Sequence, residues 1–260
     1  MIDKWLKASR RVPSGFSFDV TDLHEDGNSI PPPSYFASLL REAYWGEQYI
    51  ADLAGTYGWR PVRDRFLKAR AGTGLRVRRG DFGEAIAAGY LTQTEQYQVP
   101  VLKLRFKMGS NQTLPGTDCI AIKADDSQLR EVCYVESKLR STRKDLSVAI
   151  AGASQLKHDA DAVVPEVLTF ITRHMRETQH PLANLVERYI FSRETGLDSF
   201  KLIVFHEKDL WEEQILQNLE DEEIQLAALC VYVALIARIA DVSDAAFRKL
   251  GAVEIIDDDN

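Results

Sequence analysis

Asp118 and Glu136-Ser137-Lys138 are the residues whose types and spacing could do chemistry. Asp118 heads the apolar run Cys119-Ile120-Ala121-Ile122-Lys123-Ala124, and Glu136 to Lys138 close the run Val132-Cys133-Tyr134-Val135. Both runs favour strands and Asp125-Asp126-Ser127-Gln128 favours a turn, so the segment is predicted to form an antiparallel hairpin. With the turn centred near Ser127, Asp118 lies opposite Ser137, give or take one position. Glu136 and Lys138 are two apart and share a face of their strand. Two carboxylates and one ammonium then converge at one end of the hairpin. Such a set can hold a hard divalent cation, with Mg2+ favoured, and orient a nucleophilic water. The competing reading is a solvated Glu–Lys pair of little energetic weight.

The elements around the hairpin follow from hydrophobic spacing and breakers. Residues 1 to about 32 are mixed and turn-rich. Tyr35 to Ala54 is predicted helical, with a break at Gly55 and Gly58 and a short basic helix from Pro61 through Arg70. Asp81 to Tyr90 is predicted as a helix, Val99 to Met108 as a strand, and Asp145 to Lys157 as a helix behind the hairpin. Residues 160–196 read as a helical insertion, with Pro165 and Pro181 in early turns. Phe200 to His206 is expected to be the last strand, and Ile224 to Ala240 a buried or partner-facing helix. The order helix, strand, strand, strand, helix, strand implies an α/β fold, a mixed sheet flanked by helices. It divides the chain into an N-terminal region (1–79), a core (80–207) and a C-terminal helical region with an acidic tail (208–260).

At 260 residues, 45% hydrophobic and 27% charged, the composition is that of an ordinary globular protein. Cys119, Cys133 and Cys230 sit in apolar runs and are expected as free thiols, and no Cys/His spacing suggests zinc. His158, His174 and His206 read as structural. The N-terminus lacks a signal-peptide core and no run reads as a membrane span, so a cytoplasmic location without membrane is expected. The net charge of −7 argues against a passive nucleic-acid coat. Its distribution says more. Between Arg60 and Arg79 stand eight basic residues against one acid, Asp64. Arg63, Arg70, Arg76, Arg78 and Arg79 from this stretch, with Arg140, Arg143 and Lys144 after the Glu-x-Lys, are candidates for holding a polyanion, although a solvated helix face would also account for the first cluster.

This order, with Gly83-Glu84, Gly116-Thr117-Asp118 and Glu136-Ser137-Lys138, resembles the PD-(D/E)xK, or restriction-endonuclease-like, nuclease superfamily over roughly residues 80–207. Gly116-Thr117 stands where the motif's name has Pro. More narrowly, Gly80-Asp81-Phe82-Gly83-Glu84, Gly116-Thr117-Asp118-Cys119-Ile120 and Val135-Glu136-Ser137-Lys138 resemble the HamA-type nuclease subunits of Hachiman anti-phage defence systems. The resemblance implies a Mg2+-dependent (or Mn2+-dependent) phosphodiesterase that cuts DNA, partnered by a helicase-like ATPase. It implies Asp118 and Glu136 as metal ligands with the Ser137 carbonyl, Glu84 as a helix-borne acid on the metal or its water, and Lys138 as the group that orients the nucleophile. Gln155 is a candidate polar neighbour. For Glu84 a second reading stands beside this: Asp81-Phe82-Gly83-Glu84 fits a capping box, with Asp81 as the N-cap. A catalytically idle DNA-binding adaptor and an RNA-cleaving enzyme are the rival functions, since phosphate contacts do not separate DNA from RNA.

Overall fold

The computed structural model describes residues 1–250 apart from 68–70, 108, 110, 112–115, 126, 163–165 and 193–195. Arg70, Pro165 and the acidic tail lie outside the described residues.

One six-stranded sheet organises the chain. After an opening turn of helix, β1 (Leu6–Arg10) and β2 (Asp19–Glu25) form an antiparallel pair. Helices α1 (Pro33–Tyr44), α2 (Glu47–Tyr57) and α3 (Leu75–Gln93) follow. Then come β3 (Cys119–Ala124) and β4 (Leu129–Arg140), then α4 (Val148–Asp161), α5 (Glu166–Glu177) and α6 (Ala183–Ser192). The chain continues through β5 (Asp198–Glu207), α7 (Gln214–Asp221), β6 (Leu229–Ile236) and α8 (Ile239–Leu250). The strand order is β1-β2-β6-β5-β4-β3. Four central strands run parallel, and an antiparallel strand closes each edge. The sheet therefore takes strands from all three of the segments 1–79, 80–207 and 208–260.

Alternation along the strands sorts the apolar side chains into two layers. Cys119, Ala121, Cys133, Val135, Ile203, Phe205, Tyr232 and Ala234 face α1, α3 and α8. Ile120, Ile122, Val132, Tyr134, Leu202, Val204, Val231 and Val233 face α4 to α7. On that second side α4 lies so close to β5 that a Cβ at Gly152 would come within 2.3 Å of Leu202 Cδ1.

The hairpin forms as expected, with Cys119 opposite Val135 and Ile120 opposite Tyr134. One step further places Asp118 opposite Glu136, within the stated one-position margin. The cysteines are free, and Cys119 and Cys133 are not cross-strand partners.

Several element expectations are corrected. Residues 1–32 contain two strands. The helix expected over Tyr35 to Ala54 is interrupted at Trp45-Gly46, where Gly46 takes φ +86. The basic segment is a short turn, Trp59–Pro61, followed by a π-helical stretch, Val62–Leu67. Val99 to Lys107, the described part of the expected strand, is not one: Lys103–Phe106 is a 3-10 turn, and Gln98 just before it makes an isolated bridge to Ile122. Ile224 to Ala240 is not a helix but carries β6, between β2 and β5. β5 is therefore not the last strand. Among the described residues no helix is long and apolar enough to cross a membrane.

Candidate active site

Helix α3 begins at Leu75, six residues before Asp81, so the capping box disappears: Asp81 is inside the helix and almost wholly buried. Its carboxylate accepts both oxygens' bonds from Lys107 Nζ at 2.7 Å and a further one from Tyr44 Oη. Glu84, one turn on, is thereby free of any capping duty. Burial drives its carboxyl well above the ordinary range, and the charges of Asp118, Asp81 and Glu136 add to the rise while Lys103 opposes it.

Asp118 is positioned from both sides. Its Oδ2 accepts from Ser137 N (2.8 Å) and Ser137 Oγ (2.7 Å), which locks the start of β3 to the end of β4. The approach to it is shaped by Gly116, which takes φ +85, a left-handed conformation that a side chain strains. A Cβ there would also sit 3.2 Å from Val167. Lys103 Nζ donates to Gly116 O (2.6 Å) and Thr117 O (3.3 Å) and stands 3.8 Å from Asp118 Oδ1. Buried Asp159 receives the Thr117 N–H at 2.7 Å.

Glu136 continues the face of Val132 and Tyr134 and is 4% exposed. Its Oε1 accepts from Lys138 Nζ, while its Oε2 is buried with no partner among the described residues. Burial pushes this carboxyl up to about 8, the Asp118 charge adds to the rise, and Lys138 opposes it. An orphaned carboxylate oxygen is costly to bury. A divalent cation shared with Asp118 would relieve both the missing partner and the crowding of negative charge. Among the described residues no three acidic, imidazole or thiol groups form a ready-made cage. Asp118 and Glu136 fit a different arrangement, in which one or two carboxylates hold Mg2+ and water and phosphate oxygens complete it.

These residues line a cleft of about 590 Å³, open at the C-terminal end of β4. That is where open α/β sheets place ligands. Glu84, Asp118, Glu136, Ser137 and Lys138 form its floor, and Arg76, Arg79, Arg140 and Arg143 its sides.

The sequence profile of the HamA family matches residues 34–232, more than half of the chain and the whole of this cleft. The chain belongs to the HamA family. It is 31% identical over 102 residues to the Hachiman protein HamA of Bacillus cereus, a stretch amounting to 39% of this chain and 35% of that protein.

In this HamA family member the cationic candidates divide. Arg76 and Arg143 are exposed at the cleft and have no ion-pair partner among the described residues. Arg140 lines it while bonded to Asp145 at 2.6 Å. Arg79 lines it too, but is buried and held by Ala240 O (2.7 Å) and Asp244 (3.0 Å). Arg78 bonds Gly72 O and lies over the Phe247 ring. Arg63 pairs with the adjacent Asp64 (2.9 Å) and Lys144 with Glu212. Arg63, Arg78 and Lys144 are not among the cleft's lining residues. Neither is Gln155, half-buried on α4. His206 is buried against Trp211 and His174 packs on Phe106, as structural histidines do.

The supporting residues of the HamA site were not visible in sequence. Lys103, Lys107 and Asp159 reach it through backbone carbonyls, a mid-helix acid and a backbone amide far along the chain. The alternation Lys103, Arg105, Lys107 is the one signal they left.

Proposed function

We propose that this HamA family member is a metal-dependent DNA nuclease of Hachiman anti-phage defence, acting with a helicase-like ATPase. Family membership supports the defence role, and the resemblance of the Asp118, Glu136-Ser137-Lys138 and Glu84 set to PD-(D/E)xK nucleases supports the chemistry. The observation that carries the reading is the buried, unpartnered Glu136 Oε2 beside Asp118 at the base of an arginine-sided cleft.

Asp118 and Glu136 would hold the ion, Mg2+ or Mn2+. Bound there, such an ion neutralises charge on the scissile phosphate and lowers the pKa of its water. Ser137, through its amide and hydroxyl, keeps the Asp118 carboxylate fixed at Oδ2. Lys138 donates to Glu136 and lines the cleft, where its ammonium would orient a nucleophile or meet charge developing on the phosphate. Glu84, whose carboxyl is held well above the ordinary range by burial, would bind the ion or hold its water. Arg76 and Arg143 hold the backbone.

The test is cleavage of supercoiled plasmid, labelled single-stranded DNA and labelled RNA by the purified protein, alone and with its operon ATPase, in Mg2+, Mn2+ or chelator. Metal-dependent cutting of DNA that vanishes in Asp118→Asn is expected. Identical results for Asp118→Asn and wild type would favour the idle adaptor, and cutting of RNA alone the ribonuclease.

A further inference from the structure

Asp118 borders a second cavity. Besides the arginine-sided cleft, it lines a half-open pocket of about 170 Å³ between α5 and the segment before the 3-10 turn. Its walls are Val101, Val167, Phe170 and Ile171, and three charged groups, Lys103, Asp118 and Glu166, border it. Val101, Val167 and Ile171 are buried, and Phe170 is braced edge-on by Phe106, with ring centroids 4.9 Å apart. Asp118 is thus the shared wall between the polar cleft and an apolar chamber.

Size and charge restrict what can enter. An apolar cavity of about 150 Å³ holds one benzene ring, so this one admits a single six-membered aromatic ring. A phosphate is unsuited to it: among the described residues the walls are apolar, and two of the three bordering charged groups are carboxylates. The Lys103 ammonium is already engaged by Gly116 O and Thr117 O. A flat, neutral ring bearing N–H donors suits both the apolar walls and the acidic rim.

We infer that this chamber receives the unpaired pyrimidine base of the nucleotide next to the scissile phosphate. The inference rests on the nuclease reading of the Asp118–Glu136 cleft and names its substrate form: a strand whose base is out of the duplex stack. A backbone held across Asp118 puts its phosphate on the carboxylate side and turns the neighbouring base toward Phe170. Paired bases cannot make that turn.

Two measurements test it. In the first, single-stranded DNA is cut in Mg2+ and the cut sites are mapped. A pyrimidine is expected at one fixed position beside the cut, and an abasic residue placed there lowers kcat/KM by about tenfold, the scale of one lost base–aromatic stack. Cleavage indifferent to the abasic position, or equally fast on intact duplex, overturns the inference and leaves the nuclease reading standing. In the second, fluorescence anisotropy without metal compares wild type with Val167→Phe, which fills the chamber, and with Phe170→Leu, which keeps it apolar but removes the ring. The probe is a labelled dT octamer, with the same octamer carrying one abasic residue. The chamber predicts weaker binding of the intact octamer to both variants and a smaller penalty for the abasic one. Equal binding by all three proteins with unchanged melting temperatures overturns it. Absence of cleavage on every substrate sinks the nuclease reading instead, and the binding arm still decides whether the chamber takes a base.

Discussion

Near the start of β4, Glu131 accepts hydrogen bonds from Tyr97 Oη at 2.7 Å and Ser199 Oγ at 2.5 Å, with Lys123 at 3.8 Å. Five residues on, Glu136 accepts only from Lys138 among the described residues, and its second oxygen is bare. Burial pushes both carboxyls up. At Glu131 the hydroxyls of Ser199 and Tyr97, with Lys123 and Lys201, reverse the push and leave its pKa below the ordinary value. At Glu136 the push wins, the Asp118 charge adds to it, and the group reaches about 8. The same residue type on the same strand is thus finished in one place and left short of donors in the other. A buried carboxylate whose partners are complete is part of the scaffold. One whose second oxygen finds no partner among the described residues is left able to accept from, or bind, a group from outside the chain.

Exchanging each Glu for Gln separates the two roles. Glu136→Gln is expected to lower metal-dependent DNA cleavage by roughly a thousandfold, the scale of losing one charge-stabilising group, while its melting temperature at pH 8 equals or exceeds that of wild type. Glu131→Gln should leave cleavage unchanged and cost about 1–3 kcal/mol of stability by spoiling a satisfied network. A Glu136→Gln protein that melts below wild type at pH 8 would break the comparison. A third acid sharpens it. Asp81 is fully paired like Glu131 but lies on the same helix as Glu84, and Lys107→Met strips it of its cation. That leaves a buried carboxylate without its cation and with the Tyr44 hydroxyl as its donor, so denaturant unfolding should show a loss of about 3–5 kcal/mol, part of which Asp81→Asn in the same chain restores.

How much of this was readable in the sequence depends on where each partner lies. The β3–β4 hairpin is local, and its turn fixes the register, so Asp118 and Glu136 could be brought together on paper. β6 could not be recognised, because Leu229–Ile236 lies between parallel neighbours and is apolar on both faces, a run that periodicity does not distinguish from a buried helix. β1 hid for the opposite reason: it is an edge strand with only Leu6 buried. The sequence from Val99 alternates like a strand, yet Lys103, Arg105 and Lys107 each find a distant partner instead of a ladder. Lys103 meets Gly116 O, Arg105 meets Glu42 O (3.0 and 3.1 Å) and Lys107 meets Asp81. Such tertiary contacts leave no trace in spacing.

The two glutamates should also leave opposite marks on stability against pH in the metal-free protein. A carboxyl whose folded pKa is raised binds more protons folded than unfolded, so Glu136 makes stability fall as pH rises from its ordinary value of 4.5 to about 8, at no more than about 1.4 kcal/mol per pH unit. Glu131, held below its ordinary value, contributes stability that is present above that value and lost as pH falls through its folded pKa. Thermal melts from pH 3 to 9 should show Glu136→Gln flattening the fall between pH 4.5 and about 8 and Glu131→Gln the loss on the acid side. Added Mg2+ should raise the melting temperature more at pH 8 than at pH 5.5. Equal rises at both would mean that the ion does not bind the Glu136 carboxylate.

The contrast between finished and unfinished charges recurs, more weakly, among the cations. Arg143 and Lys144 are adjacent, yet Lys144 is taken up by Glu212 while Arg143 stands exposed at the cleft. A cation that neutralises a phosphate releases a counterion, and the slope of log affinity against log salt counts such contacts at about 0.9 each on duplex DNA. Arg143→Ala and Arg76→Ala should each make that slope shallower by about one. Lys144→Ala and Arg63→Ala should leave it unchanged, because their partners already satisfy them. The measurement is DNA binding without metal from low to physiological salt. A Lys144→Ala slope that drops as far as that of Arg143→Ala would show that an existing ion pair does not withhold a cation from the DNA. The division between the spent and the free would then hold for the buried carboxylates alone, where leaving an ion pair means exposing a charge to a medium that cannot solvate it.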